Sequence, residues 1–319
     1  MIVVTGAAGF IGSNLAHRLA AEGAELLLVD HRLTPAKAAN FSGLPSFRFV
    51  EHDLFLDELR KRADAYEVIF HLGACSSTTE TDADYLDRNN VGYTQALWKW
   101  CSAHGTPLVY ASSAATYGDG SEGFDDATPP DRLTPLNLYG KSKNDFDRWA
   151  LAELAADGPH PQGWAGLKFF NVYGPREQHK AGMASVVWQA YRQIQVSGRV
   201  KLFRSTDPQY PDGGQLRDFV FVEDCVDHML WLWKNPTASG IYNSGTGTAR
   251  TFLDLALAVF ASLGREPAID FIDMPETLAR QYQNYTQAKM DRLRSAGYAA
   301  APTTLEAGVR RYVEFLQQG

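Results

Sequence analysis

Cysteine is scarce in this sequence of 319 residues, which contains only Cys75, Cys101 and Cys225. Three widely spaced cysteines without a C-x-x-C pair argue against a disulfide framework and a zinc site, and they suit a reducing compartment. No apolar run approaches the roughly 20 residues that span a bilayer. The first residues, MIVVTGAAGF, carry neither a basic leader nor a cleavage site, which argues against a signal peptide. We therefore predict a cytoplasmic protein with no metal site and no membrane segment.

Positive charge is also in deficit, with 30 Lys and Arg against 37 Asp and Glu and a formal net charge of −7. An acidic chain is a poor non-specific ligand for nucleic acid, so we expect no nucleic-acid partner. The hydrophobic fraction of 45% and the charged fraction of 21% are ordinary for a globular protein. The length allows one large domain or two modest ones.

Strand and helix patterns alternate through the first half of the chain. Short runs rich in β-branched residues predict strands at Ile2–Gly6, Glu25–Asp30, Phe47–Leu54, Tyr66–Ala74, Thr106–Ser113 and Gly166–Val172. Helical spacing separates these runs, as at Leu15 and Leu19. The alternation predicts an α/β fold with a doubly wound parallel sheet, the Rossmann arrangement.

The second half is less regular, and we place a domain boundary near Val172. We predict a dinucleotide-binding domain over 1–171, to which 217–243 returns, and a smaller α/β substrate-binding domain over 172–216 and 244–319. Proline and glycine cluster at Ser205–Gln215, which predicts a mobile surface loop.

A glycine-rich turn links the first strand to the first helix. Gly6, Gly9 and Gly12 allow a tight turn, close approach of a pyrophosphate, and close packing of the helix on the sheet. An acid, Asp30, ends the next strand about 20 residues later, as in dinucleotide-binding folds. This context predicts a nicotinamide dinucleotide whose phosphates bind at the helix N-terminus.

The choice of dinucleotide stays open between two readings. Asp30 favours a ribose 2′-hydroxyl and hence NAD, whereas His31, Arg32 and Lys37 could hold the 2′-phosphate of NADP, which we expect. The other predicted dinucleotide contacts lie along the carboxyl edge of the sheet: Phe10, Ile11, Asp53, Leu54, Leu72, Gly73, Ala74, Cys75, Ser76, Asn89 and Val172.

Three further residues form a candidate chemical centre. Tyr139 and Lys143 are four apart, so they share one helix face. A neighbouring ammonium stabilises a phenolate, and we expect Lys143 to lower the pKa of Tyr139 while also holding the nicotinamide ribose. Ser113, at the end of the fifth predicted strand, would hydrogen-bond the reacting oxygen.

These motifs match the extended short-chain dehydrogenase/reductase superfamily, whose members mostly rework nucleotide sugars. The stretches FHLGACSSTTE, YASSAATYG, NVYGPREQHKAGMAS, RDFV and YTQA resemble the ADP-glyceromanno-heptose 6-epimerases over nearly the whole chain. The resemblance implies an isomerase of lipopolysaccharide inner-core heptose synthesis, with an ADP-heptose substrate and a homopentameric assembly.

Epimerisation of a carbinol by oxidation and re-reduction gives the oxygen two positions, each of which needs a proton carrier. The resemblance implies that Tyr139 serves one position and Lys180 the other, and desolvation can adjust a lysine for this work. The residues it implies for substrate binding are Ser113, Asn171, Lys180, Gln189, Phe203, Arg204, Ser205, Thr206, Arg217 and Tyr282. The chain departs from the family pattern at Ala181–Gly182 and in its longer loop 207–215.

Three alternatives stay in view. A dehydratase of the same fold would carry an Asp–Glu pair after the serine motif, where this chain has Ala114, Ala115 and Thr116. A nucleotide-sugar 4-epimerase needs no second base, so Lys180 argues against it. A non-catalytic NAD(P)-sensing regulator would tolerate loss of the serine, tyrosine and lysine of the chemical centre, which are all present.

Overall fold

The structure is a computed structural model that describes residues 1–31, 33–62, 64–275 and 282–318. Its strands are β1 Ile2–Thr5, β2 Leu26–Asp30, β3 Arg48–Glu51, β4 Val68–His71, β5 Leu108–Ser113, β6 Trp164–Phe169, β7 Asn171–Tyr173, β8 Val200–Phe203, β9 Leu216–Arg217, β10 Phe219–Phe221, β11 Gly240–Ser244, β12 Arg250–Thr251 and β13 Ile269–Ile272. Seven of them form a parallel sheet in the order β11-β6-β5-β4-β1-β2-β3. This order reverses direction after β1, so the predicted doubly wound Rossmann fold is confirmed.

The helices cover the sheet and build the second half of the chain. They are α1 Phe10–Ala21, α2 Pro35–Ala38, α3 His52–Lys61, α4 Ala83–Leu86, α5 Tyr93–His104, α6 Leu138–Ala155, α7 Val186–Ser197, α8 Val222–Lys234, α9 Phe252–Ser262, α10 Asp291–Ser295 and α11 Leu305–Gln317. A π-helical segment, Asp87–Gly92, joins α4 to α5. Among the described helices, none is both long and apolar enough to cross a membrane.

Successive residues of each strand serve different cores, because neighbouring side chains point to opposite faces of a sheet. Val4 of β1 packs with α1 and α8 on one face. Its neighbour Val3 packs with α3, α5 and α6 on the other face. A third core joins α7, α9 and α11 to β8 and β10. Both sheet faces are thus covered, which leaves the carboxyl edge of the strands as the place for a site.

Four predicted strands end earlier than the sequence pattern suggested, and those predicted over Ile2–Gly6 and Tyr66–Ala74 stop at Thr5 and His71. The strand predicted over Phe47–Leu54 stops at Glu51, and α3 begins at once with His52. The strand predicted over Gly166–Val172 divides after Phe169. The division has a clear cause, because β6 pairs with β11 whereas β7 pairs with β10, so the chain changes partners there.

The segment after β9 rejoins the main sheet. Helix α8 packs against α1 and β6, and β11 pairs in parallel with β6 at the edge of the seven-stranded sheet. Strand β10 instead pairs with β7 in a separate two-stranded sheet. The division into a dinucleotide-binding and a substrate-binding domain stays a prediction.

Candidate active site

The glycine-rich turn forms a cradle at the N-terminus of α1. Gly6 has a φ of 65°, and a Cβ there would lie 2.6 Å from the Gly73 nitrogen, so only glycine fits. Gly9 caps α1 without a side-chain hydrogen bond, and the first turn carries no acid. A Cβ on Gly12 would collide with the Gly6 carbonyl, which keeps α1 close to the sheet. Uncapped amides at a helix N-terminus favour an anion, so this cradle fits a dinucleotide pyrophosphate.

Asp30 is buried beneath this cradle. Its Oδ2 accepts a hydrogen bond from the Ala8 nitrogen at 2.9 Å, and its Oδ1 accepts from the His31 nitrogen and from Lys37 Nζ, both at 2.8 Å. The carboxylate therefore shapes the glycine-rich turn and also holds Lys37 at its rim. Arg32, which we predicted beside them, lies outside the described residues.

An aromatic stack borders this end of the predicted dinucleotide site. The rings of His31 and His52 are 4.3 Å apart, and His52 stacks on Tyr93 at 4.1 Å. Burial lowers the pKa of His52 although its hydrogen bond with Asp53 acts in the opposite direction, so the ring is neutral near pH 7. Leu54 is 56% exposed beside Asp53 on α3. Neutral rings and an exposed leucine can cover an adenine.

The same group has metal-ligating potential. His31, His52 and Asp53 each place one possible ligand atom within 4.8 Å of the others. Because these residues border the glycine-rich cradle, a metal ion there would compete for the space that we predict for the dinucleotide. Sequence analysis had selected His31 and Asp53 but missed His52 and Tyr93, whose stacking depends on the packing of α3 against α5.

The loop after β4 is fixed by a buried asparagine. Asn90 accepts from the Cys75 nitrogen at 2.9 Å and donates to the Cys75 oxygen at 3.0 Å and to Ser142 Oγ at 2.9 Å. It thereby joins the predicted cofactor loop, which comprises Leu72, Gly73, Ala74, Cys75 and Ser76, to α6. Asn89, the residue we had selected, is half-buried and donates to Asn90 Oδ1. The π-helical turn puts Asn90 rather than Asn89 on this face, and such turns are frequent at functional sites.

Ser113, Tyr139 and Lys143 come together at the ends of β5 and α6. Ser113 Oγ accepts from the Ala115 nitrogen at 3.1 Å, which leaves its hydroxyl proton free to donate. Burial raises the pKa of Tyr139, and a hydrogen bond with Ser113 offsets only part of that rise. Burial lowers the pKa of Lys143 to about 8, against the effect of the Asp147 charge.

The pKa of Tyr139 is thus raised in this structure rather than lowered, because burial outweighs the other effects, and the action of Lys143 on a developing phenolate stays a prediction. Burial disfavours the charged form of both groups, which raises the pKa of a tyrosine and lowers that of a lysine. The Lys143 ammonium also donates to the Ala111 carbonyl at 2.9 Å, so one of its three N–H groups is directed at the backbone. Tyr139 is a neutral proton donor here until a substrate oxygen accepts from it.

A buried charge network lies behind this centre, and sequence analysis missed it. Asp147 is fully buried one turn beyond Lys143 on α6 and accepts from Tyr110 at 3.0 Å and from Ser112 at 2.7 Å. It also forms an ion pair with Lys168 Nζ at 3.2 Å. Tyr139, Lys143 and Asp147 share a spacing of four, which was the one available sequence signal.

Lys180 lies in a 3₁₀ segment, Gln178–Met183, beside the glycine-rich cradle. Its Nζ is 5.5 Å from the centre of the Phe10 ring, at the first residue of α1. Burial lowers the pKa of Lys180, and the Glu177 charge acts against this. Glu177 is itself buried and accepts from the Ser185 nitrogen at 2.6 Å and from Ser185 Oγ at 2.5 Å. Desolvation of this kind makes the ammonium easier to deprotonate, as a lysine that exchanges protons requires.

Strained backbone flanks this lysine on both sides. Arg176 has a φ of 68° and Ala181 a φ of 49°, in the region that favours glycine. Such residues cost roughly 1–3 kcal/mol each and persist where surrounding contacts hold them, often at active sites. Gln189, which we predict to bind substrate, donates one N–H to the Ala181 oxygen at 2.9 Å. Its second N–H and its oxygen remain for other partners, so the substrate contact stays a prediction.

Arg217 is 7% exposed and lies between two aromatic rings. Its guanidinium carbon is 5.5 Å from the ring centre of Phe252 and 5.0 Å from that of Tyr282. Burial lowers the pKa of Arg217, and Nη1 donates to the Leu216 oxygen. An arginine whose guanidinium packs against two rings is preorganised to bind a phosphate.

The loop that follows β8 builds one wall of a neighbouring cavity of about 500 Å³. Tyr282, Asp207 and Tyr210 line this cavity, together with Asn284. Asn284 Nδ2 donates to Asp207 Oδ2 at 3.3 Å, which ties the loop to the chain near Tyr282. Sequence analysis had selected Tyr282 but missed the other three, since nothing in the pattern joins segments so far apart.

The other predicted substrate residues surround this region unequally. Asn171 is exposed in β7 beside the half-buried Val172. Phe203 and Ser205 are half-buried and Thr206 is exposed. Arg204 is exposed and forms ion pairs with Asp212 at 3.1 Å and Asp273 at 3.4 Å. The Arg204 charge is thus partly neutralised, which makes Arg217 the better phosphate ligand.

Comparisons with known proteins show the family of the chain. Residues 2–245 match the model of the NAD dependent epimerase/dehydratase family. A protein of Nitratidesulfovibrio vulgaris (strain DP4) named ADP-L-glycero-D-manno-heptose-6-epimerase is 49% identical over 318 residues, which cover 98% of this chain and 97% of that protein. One of the same name from Fusobacterium nucleatum subsp. nucleatum is 44% identical over 98% of this chain and 97% of its own length. The crystal structure of Helicobacter pylori ADP-L-glycero-D-manno-heptose-6-epimerase aligns with a TM-score of 0.81 at 28% identity, over 99% of this chain and 96% of that one. The chain therefore belongs to the NAD dependent epimerase/dehydratase family and, within it, to the ADP-L-glycero-D-manno-heptose-6-epimerases.

Proposed function

We propose that this protein converts ADP-D-glycero-D-manno-heptose to ADP-L-glycero-D-manno-heptose by inverting carbon 6. The observation that supports this most strongly is the presence of two desolvated proton carriers on separate elements beside one dinucleotide cradle. Tyr139 stands at the start of α6 with Ser113, and Lys180 stands over Phe10 at the start of α1. One carrier suffices for a simple dehydrogenase or a 4-epimerase, whereas the inversion of carbon 6 proposed here uses two.

The chemistry divides between the cofactor and these side chains. A bound nicotinamide would take a hydride from carbon 6 and return it to the opposite face of the ketone. Tyr139 would exchange the hydroxyl proton in one orientation of the substrate, with Ser113 donating to the same oxygen. Lys180 would exchange the proton when the oxygen lies on its side. Its lowered pKa favours the neutral amine that can accept a proton.

The rest of the substrate would extend towards Arg217. Its guanidinium, held between Phe252 and Tyr282, would bind the diphosphate, and the neighbouring cavity has room for part of the nucleotide or sugar. Asn171 would contact the sugar from β7. In these assignments the substrate contacts both proposed domains, since Asn171 and Arg217 belong to the dinucleotide-binding segments and Tyr282 belongs to the substrate-binding segment 244–319.

The cofactor is proposed to be NADP rather than NAD. Lys37 at the rim of the cradle supplies a cation for a 2′-phosphate, and His31 lies beside it. We further propose that the enzyme works in the cytoplasm as a homo-oligomer, a pentamer by family resemblance, and supplies heptose for the lipopolysaccharide inner core.

One experiment tests the function directly. The purified protein is incubated with ADP-D-glycero-D-manno-heptose, and the second diastereomer is followed by proton NMR. Lys180→Met is compared with Lys141→Met, which changes an exposed lysine of α6 that pairs with Asp145. We expect the parent protein and Lys141→Met to epimerise and Lys180→Met to lose nearly all activity. Normal epimerisation by Lys180→Met would show that Lys180 is not the second base. Inversion of a UDP-hexose without inversion of the ADP-heptose would favour the 4-epimerase alternative.

A second substrate separates the two proton carriers. An ADP-sugar aldehyde that lacks one carbon substituent can be oxidised in one molecule, as its hydrate, and reduced in the next. This dismutation yields one acid and one alcohol from two aldehydes and one water, so the bound cofactor is regenerated. Because it needs only one oxygen position, Lys180→Met should retain dismutation far better than epimerisation. Full recovery of epimerisation at saturating substrate would instead make Lys180 a binding residue.

A further inference from the structure

The loop that carries Lys180 is tied to the glycine-rich cradle by an asparagine outside every recognised motif. Asn40 is 7% exposed and follows α2. Its Nδ2 donates to the Ala8 oxygen of the glycine-rich turn at 2.9 Å and to the Arg176 oxygen at 3.2 Å. Both partners are carbonyl groups that can only accept, which fixes the orientation of the amide.

Asn40 also reaches the residue before Lys180. The Nδ1 of His179 is 3.1 Å from Asn40 Nδ2 and 3.1 Å from the Arg176 oxygen. Nδ1 can accept from the amide in one tautomer or donate to the carbonyl in the other, and either bond holds the ring against the same two groups. The direction of the Lys180 backbone is therefore set from the residue that precedes it.

A second asparagine holds the same loop from α1. Asn14 Nδ2 donates to the Pro175 oxygen at 2.9 Å, and Asn14 Oδ1 accepts from Arg176 Nη1 at 3.2 Å. Asn14 is buried on the helix whose first residue, Phe10, lies under the Lys180 ammonium. The carbonyl groups of two consecutive loop residues are thus fastened to the dinucleotide cradle.

The backbone that these bonds hold is the strained one. Arg176, which both asparagines contact, has a φ of 68°. Backbone of this kind relaxes when the contacts that hold it are removed, and its occurrence beside an acid/base candidate indicates preorganisation. A clamp needed only for folding has no reason to stabilise a strained conformation next to Lys180.

We propose that Asn40, assisted by Asn14, is a positioning residue that holds Lys180 in register with the dinucleotide cradle. The inference rests on the proposed function, because it assigns to Asn40 an effect on the proton transfer at Lys180. Asn40 and Asp30 also hold the same residue of the cradle. The Ala8 oxygen accepts from Asn40, and the Ala8 nitrogen donates to Asp30. The cradle that would hold the cofactor and the loop that carries the second proton carrier are then one mechanical unit.

The test compares reactions that do and do not use Lys180. Asn40→Ala is measured for epimerisation, and Asn40→Ala combined with Lys180→Met is measured for dismutation against Lys180→Met alone. Because a displacement of about 1 Å can cost a reaction roughly 100-fold, we expect epimerisation turnover to fall about 10- to 100-fold. Dismutation through Tyr139 should stay within about 3-fold in the double variant, since effects that pass through one residue do not add.

Matched controls separate positioning from folding and cofactor loss. Asn235→Ala also removes an Nδ2 bond to a carbonyl, that of Trp231 at the end of α8, and should leave both reactions unchanged. Bound dinucleotide is released by denaturation and quantified in every variant. Asn14→Ala gives a second variant that spares the Ala8 bond, and it should show the same selective loss of epimerisation.

Three results would count against the proposal. Normal epimerisation by Asn40→Ala and Asn14→Ala would show that Lys180 needs no clamp. If the double variant loses dismutation, relative to Lys180→Met alone, by the same factor by which Asn40→Ala loses epimerisation, Asn40 acts on folding or cofactor binding instead. Normal epimerisation by Lys180→Met would overturn the proposed role of Lys180 and, with it, the inference about Asn40. If Lys180→Met loses epimerisation while Asn40→Ala epimerises normally, only the inference about Asn40 is overturned.

Discussion

Replacement of Asp147 by asparagine should move the pH profile of the enzyme without touching a residue that meets the substrate. Asp147 is fully buried on α6, one turn after Lys143, and is held by Tyr110, Ser112 and Lys168. Asn keeps the size of the side chain and one acceptor oxygen but removes the negative charge. The Lys143 ammonium then loses the carboxylate that opposes its desolvation.

The size of the change follows from the geometry. Burial lowers the pKa of Lys143 to about 8, while Asp147 and, to a smaller extent, Cys75 act to raise it. Charges on residues four apart in a helix and about 6 Å from each other interact by about 3 kcal/mol at an effective dielectric constant of 20, or about two pH units. Because Lys168 already offsets part of the Asp147 charge, we expect a fall of about one pH unit.

The direction of the pH shift depends on which protonation state of Lys143 supports the reaction. The charged ammonium stabilises developing phenolate on Tyr139, and it is lost as the pH rises through the Lys143 pKa. The alkaline limb of turnover against pH should therefore move to lower pH in Asp147→Asn. Lys168→Met removes the opposite charge from the same network, so its limb should move to higher pH.

The assay is epimerisation turnover by proton NMR across about pH 6–10 at saturating substrate, on protein whose fold and bound dinucleotide have been checked. Loss of one partner of a buried ion pair destabilises by roughly 3–5 kcal/mol, so both variants are measured at low temperature. Damage to the fold would lower turnover at every pH, or it would move the alkaline limb in the same direction in Asp147→Asn and in Lys168→Met. An unmoved limb in Asp147→Asn would refute the assignment of the alkaline limb to Lys143.

Four further outcomes test other parts of the site. Tyr139→Phe should reduce epimerisation turnover by roughly 10²–10⁴-fold with an intact fold, and a near-normal rate would remove the phenol from the mechanism. Arg217→Gln should raise the KM for ADP-heptose by at least about 10-fold with a smaller change in kcat, since a charged hydrogen bond is worth roughly 1.5–3 kcal/mol; an unchanged KM would place the diphosphate elsewhere. Ala181→Gly should raise the free energy of unfolding in urea by about 1 kcal/mol, because glycine accepts the positive φ. In the control Gly182→Ala, which has open space around the new Cβ, the free energy of unfolding should change by less than about 1 kcal/mol in either direction. Protein purified without added nucleotide should release NADP on denaturation, because the reduced cofactor must stay through the ketone stage; an empty site with activity dependent on added cofactor would contradict this.

The sequence alone determined those features whose signals are local. The glycine spacing at Gly6, Gly9 and Gly12 specifies a turn and a helix start, and the alternation of short apolar runs with helical spacing specifies the parallel sheet. Tyr139 and Lys143 share a helix face because they are four residues apart. Fold class and family could be predicted for this reason, since short stretches of consecutive residues carry these signals.

The tertiary structure alone decided which distant groups meet. Asn40 contacts Arg176 across 136 residues. Asp147 pairs with Lys168 because α6 packs on β5, where Ser112 lies opposite Lys168 of β6. It also decided the pKa directions, since desolvation of Tyr139 and Lys143 reverses the effect expected from their spacing. Burial and long-range contact depend on how the elements pack, and a sequence pattern records only which residues are near one another along the chain.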